Sequence, residues 1–178
     1  KPTASLVKQL ELQKFFQDRG LPRSSTRCTK GSGWEAPADA AAEGAGEAGL
    51  LKPARDVEPQ DLLDSSGYLF ACPENLATMS GQMKEMFDRC YYPVLGKIEG
   101  RPYASIIAAG SDGEGAQRQL DRIAKGWRLK RVADPFIVIT DAQSQAEIEA
   151  RKEVAASDLE EARALGEALS QGLELGIF

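Results

Sequence analysis

The run Gly67-Tyr68-Leu69-Phe70-Ala71-Cys72-Pro73-Glu74-Asn75-Leu76-Ala77-Thr78-Met79-Ser80-Gly81 decides how this chain reads. Its first half is a short apolar stretch closed by a proline, the pattern of a buried strand. Its second half turns small and polar and leads into a helical segment ending near Arg89. There Met83, Met86 and Phe87 fall at i, i+3 and i+4. The same grammar recurs downstream. Residues 103–110 form a second apolar run, and 114–127 carry Leu120, Ile123, Ala124 and Trp127 along one helical stripe. Residues 135–140 form a third run. Ser157, followed by Asp158 and Glu160, is a suitable N-cap for a last helix that runs through Leu159, Ala162, Leu165 and Leu169 to about Gln171. Each strand is nearly continuous in apolar residues, as strands covered by helices on both faces are. Strand and helix in alternation predict an α/β fold with a central parallel sheet and right-handed crossovers.

Bulk properties narrow the function. The chain has 178 residues, 42% hydrophobic and 28% charged, enough for one core of ordinary size. A net charge of -5 argues against nucleic acid as a partner. It does not exclude a nucleotide-sized anion, which backbone N–H groups and helix N-termini can hold. No apolar run approaches the ~18 residues of a membrane span, and residues 1–9 lack signal-peptide features, so a cytoplasmic location is expected. Histidine is absent, which removes Ser-His and Cys-His catalysis and His-bearing metal sites. Cys28, Cys72 and Cys90 are too few and too scattered for a disulfide scaffold or structural zinc. Cys72 is expected to pack as a small buried hydrophobe. No metal is expected, and an enzyme here would have to use carboxylates, thiols, lysines or a cofactor that brings its own chemistry, the last of which needs no catalytic side chain.

In an open parallel sheet, ligands sit beyond the carboxyl ends of the strands, near a topological switch point. The candidate binding residues are therefore Pro73, Glu74, Asn75, Leu76, Ala77, Thr78, Met79, Ser80 and Gly81 after the first clear strand. Ala109, Gly110, Ser111, Asp112, Gly113 and Gly115 after the second complete the set. Small residues let a backbone approach a flat ring and offer N–H groups to its polar edge. The plainer alternative is that Ser80 and Asp112 or Glu114 only cap helices.

The spacing Phe70-x-x-Pro73-Glu74-Asn75-x-x-Thr78-Met79-Ser80-Gly81-x-Met83-Lys84-x-x-x-Asp88-Arg89 resembles the FMN-ring loop of flavodoxin-fold, NAD(P)H-dependent FMN and quinone reductases. Residues 108–116 are similar to their second ring-side loop, and Leu165-Gly166-x-x-Leu169 to their last helix. The resemblance covers about residues 38–178. It implies a flavodoxin-like three-layer fold, with FMN as cofactor and NAD(P)H as hydride donor. Backbone groups of Thr78 to Gly81 would meet the flavin's polar edge. A quinone or similar small acceptor and a homodimer or homotetramer are further implications, with Arg89, Tyr91 and Tyr92 as candidate interface residues. Tyr91, Tyr92 and Trp127 are candidates for an aromatic wall, with core packing the alternative.

The N-terminal part departs from that pattern. Residues 1–37 read as an atypical segment preceding a flavodoxin-like domain over 38–178. Leu6 to Phe16 looks weakly helical, and residues 8–23 hold no run of four apolar residues to supply a central strand. Ser24 to Gly33 has the residue types of a phosphate loop, with Arg27 and Lys30 to meet its charge, but not the family's order. The N-terminal strand and phosphate loop are thus expected to be atypical or missing, as an altered reading frame, an alternative exon or a segment replacement would leave them. Residues 38–49 read as a helix of modest propensity and Leu50-Leu51 as the start of a strand. Three functions stay open on the residues: an FMN-dependent reductase, a flavodoxin-type electron carrier, and a domain that has lost FMN.

Overall fold

A computed structural model describes residues 6–10, as backbone, and 35–178. Its strands are β1 (Leu6–Leu10), β2 (Gly49–Pro53), β3 (Gly67–Asn75), β4 (Thr78–Met79), β5 (Pro102–Ala109), β6 (Lys130–Arg131) and β7 (Phe136–Ile139). Its helices are α1 (Ala36–Ala45), α2 (Pro59–Asp64), α3 (Gly81–Val94), α4 (Glu114–Gly126), α5 (Gln145–Glu149) and α6 (Ala156–Glu174). The parallel sheet runs β2-β1-β3-β5, and β6 and β7 share the place beyond β5. β6 pairs the start of β5 (Tyr103 with Arg131), and β7 its end (Ile107 with Ile137). This is the flavodoxin-like order, with the switch point between β1 and β3.

Alternate residues of the buried strands build two cores. Tyr68, Phe70 and Cys72 of β3, with Tyr103 and Ile107 of β5, pack under α3 and α4. There Phe87 sits 5.2 Å from Phe70 and 5.2 Å from Trp127, ring centre to ring centre. Leu69, Ala71, Ala104 and Ile106 face the other way, under α1 and α6. The expected three layers are present. α1 and α6 touch backbone to side: a Cβ on Gly166 would lie 1.9 Å from the Ala41 carbonyl oxygen. Among the described residues no helix is long and apolar enough to cross a membrane.

Two expectations need correction. Leu6–Leu10 is extended, not helical, and holds the central position between β2 and β3, with Lys8 in register with both Leu51 and Leu69. The strand ends before most of the segment judged too polar to form it. Once two apolar strands flank it, backbone pairing on both edges holds five residues that composition alone would not nominate. The last helix opens at Ala156 with Ala155 as its N-cap and no side-chain capping bond, so Ser157 lies inside the helix. The candidate phosphate segment Ser24 to Gly33, with Cys28, lies outside the described residues, as does the remainder of the helical reading beyond Leu10.

Candidate functional site

β3 pairs with β5 only as far as Pro73 and Ala108, then continues two residues and folds back as β4. The hairpin turn is Leu76-Ala77, with φ of 53° and 59°. Two left-handed residues in a two-residue loop give the twist such hairpins favour, a place usually filled by Asn-Gly. With side chains present, each costs about 1–2 kcal/mol. Strain of this kind persists only where the surroundings over-determine it.

Here Glu74 does so. Its Oε2 accepts from the Gly113 N–H at 2.8 Å and its Oε1 from the Ala116 N–H at 3.0 Å. One carboxylate therefore satisfies two donors at the start of α4 and places a negative charge at the helix's positive end. The Met79 N–H donates to Gln119 Oε1 at 3.0 Å, a second tie between hairpin and helix. The approach is close enough that a Cβ on Gly115 would stand 2.2 Å from the Ala77 carbonyl oxygen. Gly113, at φ 84°, starts α4 where a Cβ would meet Ile137 at 2.4 Å. The loops that follow β3 and β5 are thus one frame.

The candidate residues divide within that frame. Pro73, Met79, Ser80, Ala109, Gly113 and Gly115 are buried and shape it, while Leu76, Ala77, Thr78, Gly81, Ser111 and Asp112 are exposed. Asn75 and Gly110 lie between, as Glu74 does. Ser80 caps α3, its Oγ accepting from the Met83 N–H at 3.4 Å, so its side chain points into the protein. Thr78 Oγ1 donates to the Asn75 carbonyl at 2.9 Å and steadies the turn. The Ala109 carbonyl accepts from the Thr140 N–H at 2.9 Å, which fixes the end of β5 against the end of β7. In the first turn of α3, Gln82 Oε1 is buried without a hydrogen-bond partner among the described residues.

The aromatic candidates resolve toward packing. Trp127 is fully buried, and its indole N–H donates to the Tyr91 carbonyl at 3.2 Å. Tyr91 stacks on it at 5.9 Å, whereas Tyr92 is 79% exposed. Arg89 is committed internally: its guanidinium donates to the carbonyls of Ala54 (3.1 Å), Arg55 (3.3 Å) and Val57 (3.0 Å). Cys72 and Cys90 are buried, and burial pushes the Cys90 thiol up to about 11. Gln119 and Gln82 escaped the sequence reading, because a lone glutamine on a helix carries no spacing signal.

Known proteins share this fold. Residues 52–143 match the family described as NADPH-dependent FMN reductase. Among solved structures, a flavodoxin, WrbA-like protein from Agrobacterium tumefaciens superposes with a TM-score of 0.67 at 15% identity, covering 98% of this chain and 99% of its own. A flavodoxin from the domain Archaea gives 0.66 at 14% identity, over 96% of this chain and 99% of its own. An oxidoreductase from Corynebacterium diphtheriae gives 0.61 at 16%, over 99% of both chains. At these identities the likeness carries the fold. No curated protein matches the chain.

Proposed function

This chain belongs to the NADPH-dependent FMN reductase family, and on that premise we propose that it takes hydride from NAD(P)H through bound FMN to a quinone or similar small acceptor. One observation carries the reading. The Glu74 carboxylate locks the loops after β3 and β5 into a single frame at the carboxyl edge of the sheet, beside the switch point, with a strained turn at its tip.

The residues present fit a flavin. Gln82 Oε1 is a buried acceptor still lacking a donor, and a flavin carries donors in its ring N–H and ribityl hydroxyls. FMN, when bound, supplies the hydride chemistry. The chain's part is to hold and shield it. Backbone groups of Thr78 to Gly81 would meet the ring's polar edge and the Gly110 to Gly115 loop would cover its other side, with the α4 ties keeping both loops from relaxing. Leu76, 94% exposed at the hairpin tip, offers an apolar surface where an acceptor ring would enter. No side chain need move a proton, in keeping with the absence of histidine.

The test is NADPH oxidation by FMN-loaded protein, with and without a soluble benzoquinone. Oxidation that accelerates when the quinone is added is the expected result. Bound flavin that neither NADPH nor NADH reduces would overturn the proposal.

A further inference from the structure

Between β7 and α6 the chain crosses the carboxyl edge of the sheet as a surface segment, residues 140–155, that carries α5. Every side chain from Gln143 to Ile148 is exposed, Ile148 by 53%. A helix of five residues with no buried face has neither the length nor the packing to hold itself. Its ends are closed instead. At the start, Ser144 Oγ accepts from the Glu147 N–H at 3.3 Å, and Glu147 Oε2 accepts from the N–H groups of Gln143 and Ser144 at 3.0 and 2.8 Å. At the end, the Lys152 ammonium donates to the carbonyls of Glu147, Ile148 (2.7 Å) and Ala150 (2.7 Å), a cation on the last turn.

That closure is costly. Lys152 is 7% exposed, although lysine is almost never buried and gives up as much side-chain freedom as any residue when it is. Water could satisfy the same carbonyls on a surface helix. The reason lies at the start of the segment. Thr140 donates to the Ala109 carbonyl through both its N–H, at 2.9 Å, and its Oγ1, at 3.2 Å. The chain turns at Asp141, with φ 52°, a left-handed conformation that aspartate tolerates. The Ala142 carbonyl oxygen then stands 3.2 Å from where a Cβ on Gly110 would sit. Gly110 opens the ring-side loop, whose other end, Gly113, is held by Glu74. Gln143 joins this turn to α5, since its Nε2 donates to Asp141 Oδ1 at 3.2 Å while its N–H donates to Glu147.

We propose that residues 140–152 are a strut for the ring-side loop, and that Lys152 is the positioning residue that locks it. The ammonium fixes α5, the Glu147 carboxylate and Gln143 carry that order to the turn at Asp141, and the Ala142 carbonyl sets where Gly110 can lie. Glu74 grips one end of the loop and the strut the other. The inference rests on the flavin reading and adds to it a residue that acts only through the loop.

The test combines amide hydrogen exchange on the flavin-free full chain with FMN titration, for the parent, Lys152→Met and Lys152→Arg. Methionine keeps an unbranched apolar stem without a donor, and arginine keeps donors. In Lys152→Met, exchange should quicken at least about tenfold at Ile148 and Ala150, whose N–H groups bond within α5, and also at Thr140. FMN should bind about tenfold more weakly while the melting temperature stays that of the parent, because the opening is local. Lys152→Arg should restore both. Faster exchange confined to α5, with Thr140 and FMN binding as in the parent, would make Lys152 a local cap and overturn the strut. So would α5 amides that exchange as in the parent, or FMN affinity lost equally in Lys152→Arg. A parent chain without affinity for FMN would overturn the flavin reading and the role drawn from it, whereas exchange at Thr140 decides the mechanical link by itself.

Discussion

Glu74 serves two elements with one carboxylate. It lies one residue before the end of β3 and caps a helix through N–H groups 39 and 42 residues further along. Removing it should cost more than an ordinary surface glutamate, because two donors at a helix start lose their acceptor while the hairpin loses its anchor. For Glu74→Ala we expect about 2 kcal/mol of destabilisation, or a melting temperature lower by roughly 4–8 °C, together with weaker FMN binding. Thermal unfolding and flavin titration of the same variant check both parts, and a variant that melts like the parent would show that the tie is not formed. The sequence marked Glu74 as a site residue but not its partners, since nothing local links it to Gly113 or Ala116. Ser80 shows the complementary case. Its capping role is readable from position alone, as the residue before a helix with a polar oxygen to offer.

Among the elements, legibility followed apolar continuity. β3 and β5 are buried over almost their whole length and announce themselves, and α3 and α4 carry stripes that match what they cover. β1 is the hard case. Lys8 and Gln9 interrupt the run by which a central parallel strand is recognised, and its place follows from pairing with β2 and β3, contacts between distant residues. α2, α5, β4 and β6 are six residues or fewer and too short for a periodicity to emerge. The α1–α6 contact was legible only as a glycine without a reason. With the Ala41 carbonyl oxygen 1.9 Å from where a Cβ would sit, Gly166→Ala must push α6 off α1. The expected loss is about 2–3 kcal/mol, read from urea unfolding. A change under about 0.5 kcal/mol, the range of ordinary surface substitutions, would mean that the helices pack less closely than described.

At the scale of the molecule, stability should fail first on the alkaline side. Burial raises the Cys90 thiol from 9.0 to about 11 and the Tyr68 hydroxyl from 10.0 to about 12, the latter despite Arg101 beside it. Burial also raises Tyr103, helped by its bond to Asp121. Each group holds its proton more tightly folded than unfolded. Their contribution is therefore complete below pH 9 and is lost as pH rises through 11 and then 12. Melting temperature against pH should be level up to about pH 9 and fall beyond it, and Cys90→Ala should remove the earliest part of the fall. A profile unchanged by that substitution would argue against a buried neutral thiol.

The fold as a whole was legible because strand and helix alternate with the family's loops between them. The ties from Glu74 to α4 were not, because they join residues 39 and 42 positions apart in the chain. What binds the account together is the claim that the frame held by Glu74 receives a flavin. Titrating the purified chain with FMN while following flavin fluorescence tests it most directly. Quenching that saturates at one FMN per chain, and weakens in Glu74→Ala, is the predicted result. Fluorescence that stays at the level of free FMN throughout the titration would contradict it.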